Sequence, residues 1–251
     1  MKILVSKFIS SIPGLKSVLL TYRRLFFQTF FNVSVVLGAD FKTQLALLRK
    51  DFCNVLIWFD PKKITHRAPQ SSNRNYVQRL NKKEIKLIEE STPTIAPTIE
   101  KMFVKNEPYK NTPQFNKMIN RVNSGKKSYY CETVEDVHHY FQKLENSYNS
   151  MSTDGYLLQK DLKEKDESLI DPRHKNDNED EIQLVVNENN ELLLAWAGTH
   201  RLLIAKILEI NEVAGIVKYV DEDWAKKVFQ ESKTKNLQKA IESKLKNMSL
   251  K

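Results

Sequence analysis

The sequence predicts an α+β fold, a small mixed sheet with flanking helices, and three stretches carry that expectation. Ile182, Leu184 and Val186 alternate with Gln183, Val185 and Asn187; Glu188-Asn189-Asn190-Glu191 breaks the run and Leu192 to Trp196 resumes it, which is the pattern of a β-hairpin. After Gly198 the period lengthens, with Leu203, Ile204, Ile207 and Leu208 on one helical face, and Val213 to Val220 returns to strand composition. The order is β-β-α-β, with the basic turn Ala197-Gly198-Thr199-His200-Arg201 where strand enters helix.

From the start of the chain, residues 1–39 read as helical, basic and rich in phenylalanine. They carry Lys2, Lys7, Lys16, Arg23 and Arg24, with no acidic residue. The charge-free run Leu25 to Ala39 is shorter than the roughly 20 apolar residues a bilayer span needs, and Lys7 interrupts any signal-peptide core. Two readings follow: a helix lying on an anionic membrane surface, or a helical layer packed on the core. Phe41 to Phe52 reads as a helix and Val55 to Phe59 as a strand stopped by Asp60-Pro61, so a boundary is placed near residue 54. Residues 66–114, punctuated by five prolines, read as loops around one short helix, Asn81 to Glu90. Arg67, Arg74 and Arg79 could reach a phosphate or nucleic acid, but scattered loop arginines are usually solvated, and that is how they are read.

Phe115, Met118, Ile119 and Val122 share a helical face ended by Ser124-Gly125. The capping box Thr133 to Asp136 opens a second helix through Met151. Its His138 and His139 are adjacent, about 100° apart, and read as surface residues rather than metal ligands. Asp154-Gly155-Tyr156 is a turn; Asp161 to Asp180 reads as a charged loop in which Asp171-Pro172-Arg173-His174 is distinctive. Asp221 caps a Lys-rich terminal helix with Val228, Leu237, Ile241, Leu245 and Met248 on its apolar side, a docking or self-associating element.

Composition limits the possible functions. With 41% hydrophobic and 28% charged residues, the 251-residue chain has globular composition, and its net charge of +9 suits anionic partners. Cys53 and Cys131 form no metal-binding spacing and read as structural thiols in a reducing compartment; no metal site is expected. The basic turn supports two readings. Free amides at the start of the helix, the Thr199 hydroxyl as a cap, His200 and the Arg201 fork can hold a phosphate; alternatively, this is a capped helix whose Arg201 pairs with a carboxylate.

Glu181-Ile-Gln-Leu-Val-Val, Asn189-Asn190, Leu192-Leu193-Leu194, Gly198-Thr-His-Arg-Leu-Leu-Ile-Ala-Lys-Ile-Leu-Glu-Ile and Val213-Ala-Gly-Ile-Val together resemble the core of the ParB/sulfiredoxin superfamily. More narrowly, they resemble an uncharacterised branch with a Gly-x-His-Arg turn and a later Trp; Asp154-Gly155-Tyr156, Gln159 and Gly125 to Thr133 add to the likeness. It spans about residues 55 to 230, with most of its motifs in 181 to 224. The resemblance implies a nucleotide-binding domain over 54–230, between a helical extension 1–53 and a Lys-rich helix 231–251.

In that superfamily sulfiredoxins use ATP, ParB proteins bind and hydrolyse CTP, some relatives phosphorylate serine, and the Gly-x-x-Arg turn holds phosphates. Carried over, Gly198, Thr199, His200 and Arg201 bind ATP, CTP or ADP with Mg²⁺. Glu181 or Asp154 takes the proton of a hydroxyl acceptor, a small molecule or glycan, in a kinase-like transfer. The alternative is a nucleotide-gated, CTP-binding module for DNA or another partner. No helix-turn-helix like that of ParB proteins follows, so DNA is the less favoured partner. Thr199 stands where sulfiredoxins need a cysteine, which removes sulfinic-acid reduction, and Ala197 replaces the Asp frequent in the branch. The chain is expected to be cytoplasmic, with at most peripheral contact at an inner membrane surface.

Overall fold

The computed structural model describes residues 15–49, 54–71, 75–165 and 181–249. Cys53, Arg74 and the patch Asp171 to His174 lie outside them, as do residues 1–14 of the basic region. The architecture is α+β, a seven-stranded mixed sheet with helices around it. The strands are β1 (Val55–Phe59), β2 (His66–Arg67), β3 (Val77–Gln78), β4 (Lys86–Leu87), β5 (Ile182–Val186), β6 (Leu192–Leu194) and β7 (Val213–Asp221). Their order is β1-β7-β5-β6-β2-β4, with β3 paired to the far end of β7.

The predicted β-β-α-β unit forms the centre. β5 and β6 are an antiparallel hairpin, and after helix α8 (Thr199–Ile207) the chain returns as β7, parallel to β5. All five residues of β5 are buried: β6 and β7 pair its two edges, and apolar clusters cover both of its faces. The period of two sorts the hairpin between two layers. Leu184 and Leu194, opposite each other, enter the main core; Val185 and Leu193, the next pair, join a second cluster with Ala68, Leu80, Ala195 and Tyr219 on the other face.

Helices α1 (Leu15–Val36) and α2 (Phe41–Leu47) precede the sheet. Within the Pro-rich region the short helix α3 (Ile88–Ser91) is followed by α4 (Ile95–Phe103), which corrects the reading of that stretch as mostly loop. Pro97 falls in the first turn of α4, where its missing N–H has no intrahelical acceptor to lose, so Ile95, Ile99 and Met102 can still bury one face. Helix α5 (Pro113–Asn123) ends at Ser124-Gly125, Gly125 having the positive φ of 72°. Helix α6 (Val134–Asp154) opens with both halves of the Thr133/Asp136 capping box formed, and α7 (Gln159–Lys165) takes up the start of what reads as a charged loop. His138 is half-buried, its Nδ1 3.0 Å from the Tyr109 hydroxyl, whereas His139 is at the surface as expected.

The C-terminal helix is two helices, α9 (Glu222–Glu231) and α10 (Leu237–Met248), separated at Ser232 to Asn236, where Asn236 starts α10 by accepting from Lys239 N. Asp221 caps α9 as predicted. α10 packs on β1 and α2 of its own chain. Fully buried Gln44 joins these termini: its Nε2 donates to Lys235 O at 2.8 Å and its Oε1 accepts from Leu237 N at 2.9 Å. Trp224, the later tryptophan of the motif, is buried, with Nε1 donating to Asn190 Oδ1 in the hairpin turn at 2.8 Å.

Candidate functional site

The geometry of the turn between β6 and α8 starts from Gly198. Its φ of 88° and ψ of 8° lie in the left-handed region, and a Cβ there would stand 2.6 Å from Ile182 Cα. The space thus left open lets the turn close on β5. Gly198 is itself the N-cap and no side chain caps the helix, so the first-turn amides of α8 keep their outward direction. Thr199, read as a hydroxyl cap, is instead the first helical residue, and its Oγ1 accepts from Nη2 of Arg67.

Successive side chains leave a helix about 100° apart, so the three basic-turn residues meet three different elements. Thr199 meets β2. Nε2 of the half-buried His200 lies 3.1 Å from Gln114 Oε1 in α5 and 3.2 Å from the Tyr140 hydroxyl in α6. Arg201 turns the other way: Nη1 donates to Glu181 Oε2 at 3.0 Å, Nη2 donates to Leu157 O at 2.8 Å, and the guanidinium lies 4.4 Å over the Tyr156 ring.

Glu181 is 2% exposed. Besides Arg201 it accepts from the Tyr156 hydroxyl and from Gln159 N, each at 2.7 Å. Pairing with a carboxylate, the second of the two readings of Arg201, is therefore what its described contacts include. Asp154 closes α6, its carboxylate 2.5 Å from Lys165 Nζ in α7 and 3.4 Å from Ser150 Oγ. Glu181 is thus brought to the turn through Arg201, while Asp154 sits in the corner between α6 and α7.

The cation that meets the first turn of α8 is Arg67. Its place in β2, parallel to β6 with Arg67 opposite Leu194, draws into the sheet a residue read as a solvated loop arginine; Arg79 remains at the surface. Burial lowers the pKa of Arg67, its Nε is buried without a hydrogen-bond partner, and no carboxylate among the described residues pairs with it. Burial, and then the Arg67 charge, push His200 down to about 4. His200 is accordingly neutral at neutral pH and can either donate or accept through Nε2.

Tyr129 and Tyr130 lie in the segment Gly125 to Thr133 that adds to the family likeness, but the turn they make is not announced by the sequence. They form the tip of a tight turn in which Ser128 and Cys131 exchange both backbone hydrogen bonds, at 3.0 and 2.8 Å, and their φ values are 47° and 69°. Asn-Gly is the usual occupant of such a pair of positions, and a Tyr-Tyr dipeptide carries no turn signal. The rings are 41% and 75% exposed, and that of Tyr129 lies 5.8 Å from Tyr140, the neighbour of His200. Burial raises the Tyr129 hydroxyl pKa and the Arg67 charge opposes that rise, so this tip and Arg67 share one electrostatic neighbourhood.

Together these groups offer an uncapped helix N-terminus, a hydroxyl, a neutral imidazole, a half-buried guanidinium and two exposed aromatic rings. Cys131 is buried, its Sγ donating to Asp136 O at 3.5 Å. Among the described residues no group of three or more His, Cys, Asp or Glu comes together as a metal site. No family model matches the chain, and no curated protein or solved structure matches it either.

Proposed function

We propose that the protein binds the phosphates of a nucleotide at the N-terminus of α8, with Arg67 as the charged partner and the amides of Thr199, His200 and Arg201 as neutral donors. The observation that carries this reading is the uncompensated guanidinium. A half-buried cation with no acid beside it among the described residues and a buried Nε without an acceptor is costly unless an anion completes it. The N-terminus of a nine-residue helix with no side-chain cap adds its partial positive charge on the same side as Thr199, to which Arg67 is bonded. The likeness of the Gly198 to Arg201 turn to the phosphate-holding turn of the ParB/sulfiredoxin superfamily supports the same ligand. Mg²⁺ would enter on the phosphates and water rather than on a protein cage. The exposed rings of Tyr129 and Tyr130 supply stacking surface for a base.

Whether the nucleotide is a phosphoryl donor or a conformational signal depends on a carboxylate base. Glu181 already accepts from Arg201, Tyr156 and Gln159, which suits a brace under the turn better than a group that must take a proton. That observation favours the nucleotide-gated binding module. For the kinase-like reading, transfer to a hydroxyl acceptor falls to Asp154 or to a residue outside the described segments.

Calorimetry with ATP, CTP and ADP in the presence of Mg²⁺ tests the proposal. Arg67→Met should weaken binding by about ten- to a hundredfold, the worth of a charged hydrogen bond, while the ligand-free protein keeps or gains thermal stability, because an uncompensated buried charge is removed. A mutant of lower Tm that binds nucleotide like wild type would make Arg67 purely structural. If wild type binds none of the three nucleotides, the proposal falls.

A further inference from the structure

Helix α1 divides its aromatic residues between two surroundings. Phe31 is fully buried, and half-buried Phe27 lies under the Arg49 guanidinium, 4.6 Å from its ring centre; these two hold the helix to the core. Away from them, Tyr22, Leu25, Phe26, Phe30, Val33 and Val36 are 49% to 85% exposed, and the Phe26 and Phe30 rings lie 4.5 Å apart. At 100° per residue these six positions occupy an arc of about 140°, an apolar face interrupted by Thr29, whose hydroxyl donates back to Leu25 O at 2.8 Å, and extended by exposed Leu37 at the helix end. A patch of this kind marks a surface for association.

Charge identifies the occupant. The first 39 residues contain no Asp or Glu, and α1 itself carries Lys16, Arg23 and Arg24. Against a second copy, a two-fold contact would set this basic helix on itself; against an anionic surface the same charges attract. No helix among the described residues is long and apolar enough to cross a membrane. We infer that α1 docks on an anionic lipid bilayer, lying in the interface with the Tyr22 to Val36 face turned into the boundary between headgroups and acyl chains. Phe27 and Phe31 keep the helix on the protein while Phe26 and Phe30 enter the lipid. The inference is independent of the nucleotide proposal.

Flotation of the full-length chain with phosphatidylcholine vesicles, with and without phosphatidylglycerol, tests it. The chain should float with the anionic vesicles only, and added salt should release it. Phe26→Ser/Phe30→Ser should lower the partition coefficient about a hundredfold, roughly tenfold for each ring withdrawn from lipid, without changing thermal unfolding, since both rings are solvent-exposed. Arg23→Glu/Arg24→Glu should abolish the preference for anionic lipid. Three results would overturn the inference: equal flotation with neutral vesicles; no flotation with either; or a solution dimer that Phe26→Ser/Phe30→Ser turns into a monomer.

Discussion

Gly198 shows how far one residue determines the turn. A methyl group at this position meets the Ile182 backbone at 2.6 Å and opposes a φ of 88°, so Gly198→Ala should destabilise by at least about 2 kcal/mol in denaturant titration. His200 gives a pH signature. Folded, it stays neutral down to about 4; unfolded, it protonates near its ordinary value of 6.5, so the unfolded state binds more protons between these limits. Stability should therefore fall on acidification from about pH 6.5 to 4, by at most about 3 kcal/mol from this residue, and His200→Gln should flatten that part of the profile. The glycine was legible in the sequence, since a lone Gly between a strand and a helix marks a sharp turn. Arg67 was not. It reaches Thr199 across 132 residues of chain, and nothing around His66-Arg67 distinguishes it from the other loop arginines.

Among the elements, those that read clearly are those whose own period decides their burial. The runs of β5 and β7 are dense in Val and Ile, and the Thr133 capping box announces α6; Thr133→Ala should cost about 1 kcal/mol, measured as a shift of the unfolding midpoint. The two-residue strands β2, β3 and β4 are too short to show any alternation and exist through their partners. α4 is concealed by Pro97, which marks a break only when its position within a helix is unknown. The break between α9 and α10 depends on Gln44, whose amide satisfies Lys235 O and Leu237 N from another part of the chain. Gln44→Ala should leave the buried Leu237 N without its partner and cost about 1 to 3 kcal/mol in denaturant titration.

For the whole molecule, the α+β class follows from the central β-β-α-β unit alone, whereas the joining of the two ends does not: α2 and α10 meet through one glutamine that any local reading leaves unplaced. That closure affects how the chain is made. β1 finds its hydrogen-bonding edge on β7, and Trp58 N donates to Ser249 Oγ, a residue 191 positions later. A nascent chain has therefore synthesised β1 and the helices of the middle third long before the strand that receives them leaves the ribosome. Topologies dominated by such distant pairings fold slowly, on the millisecond-to-second scale, because closure entropy must be met before the contacts form. A chain stalled before Val213 should accordingly remain protease-sensitive throughout, and one released at full length should acquire resistance in a single late step.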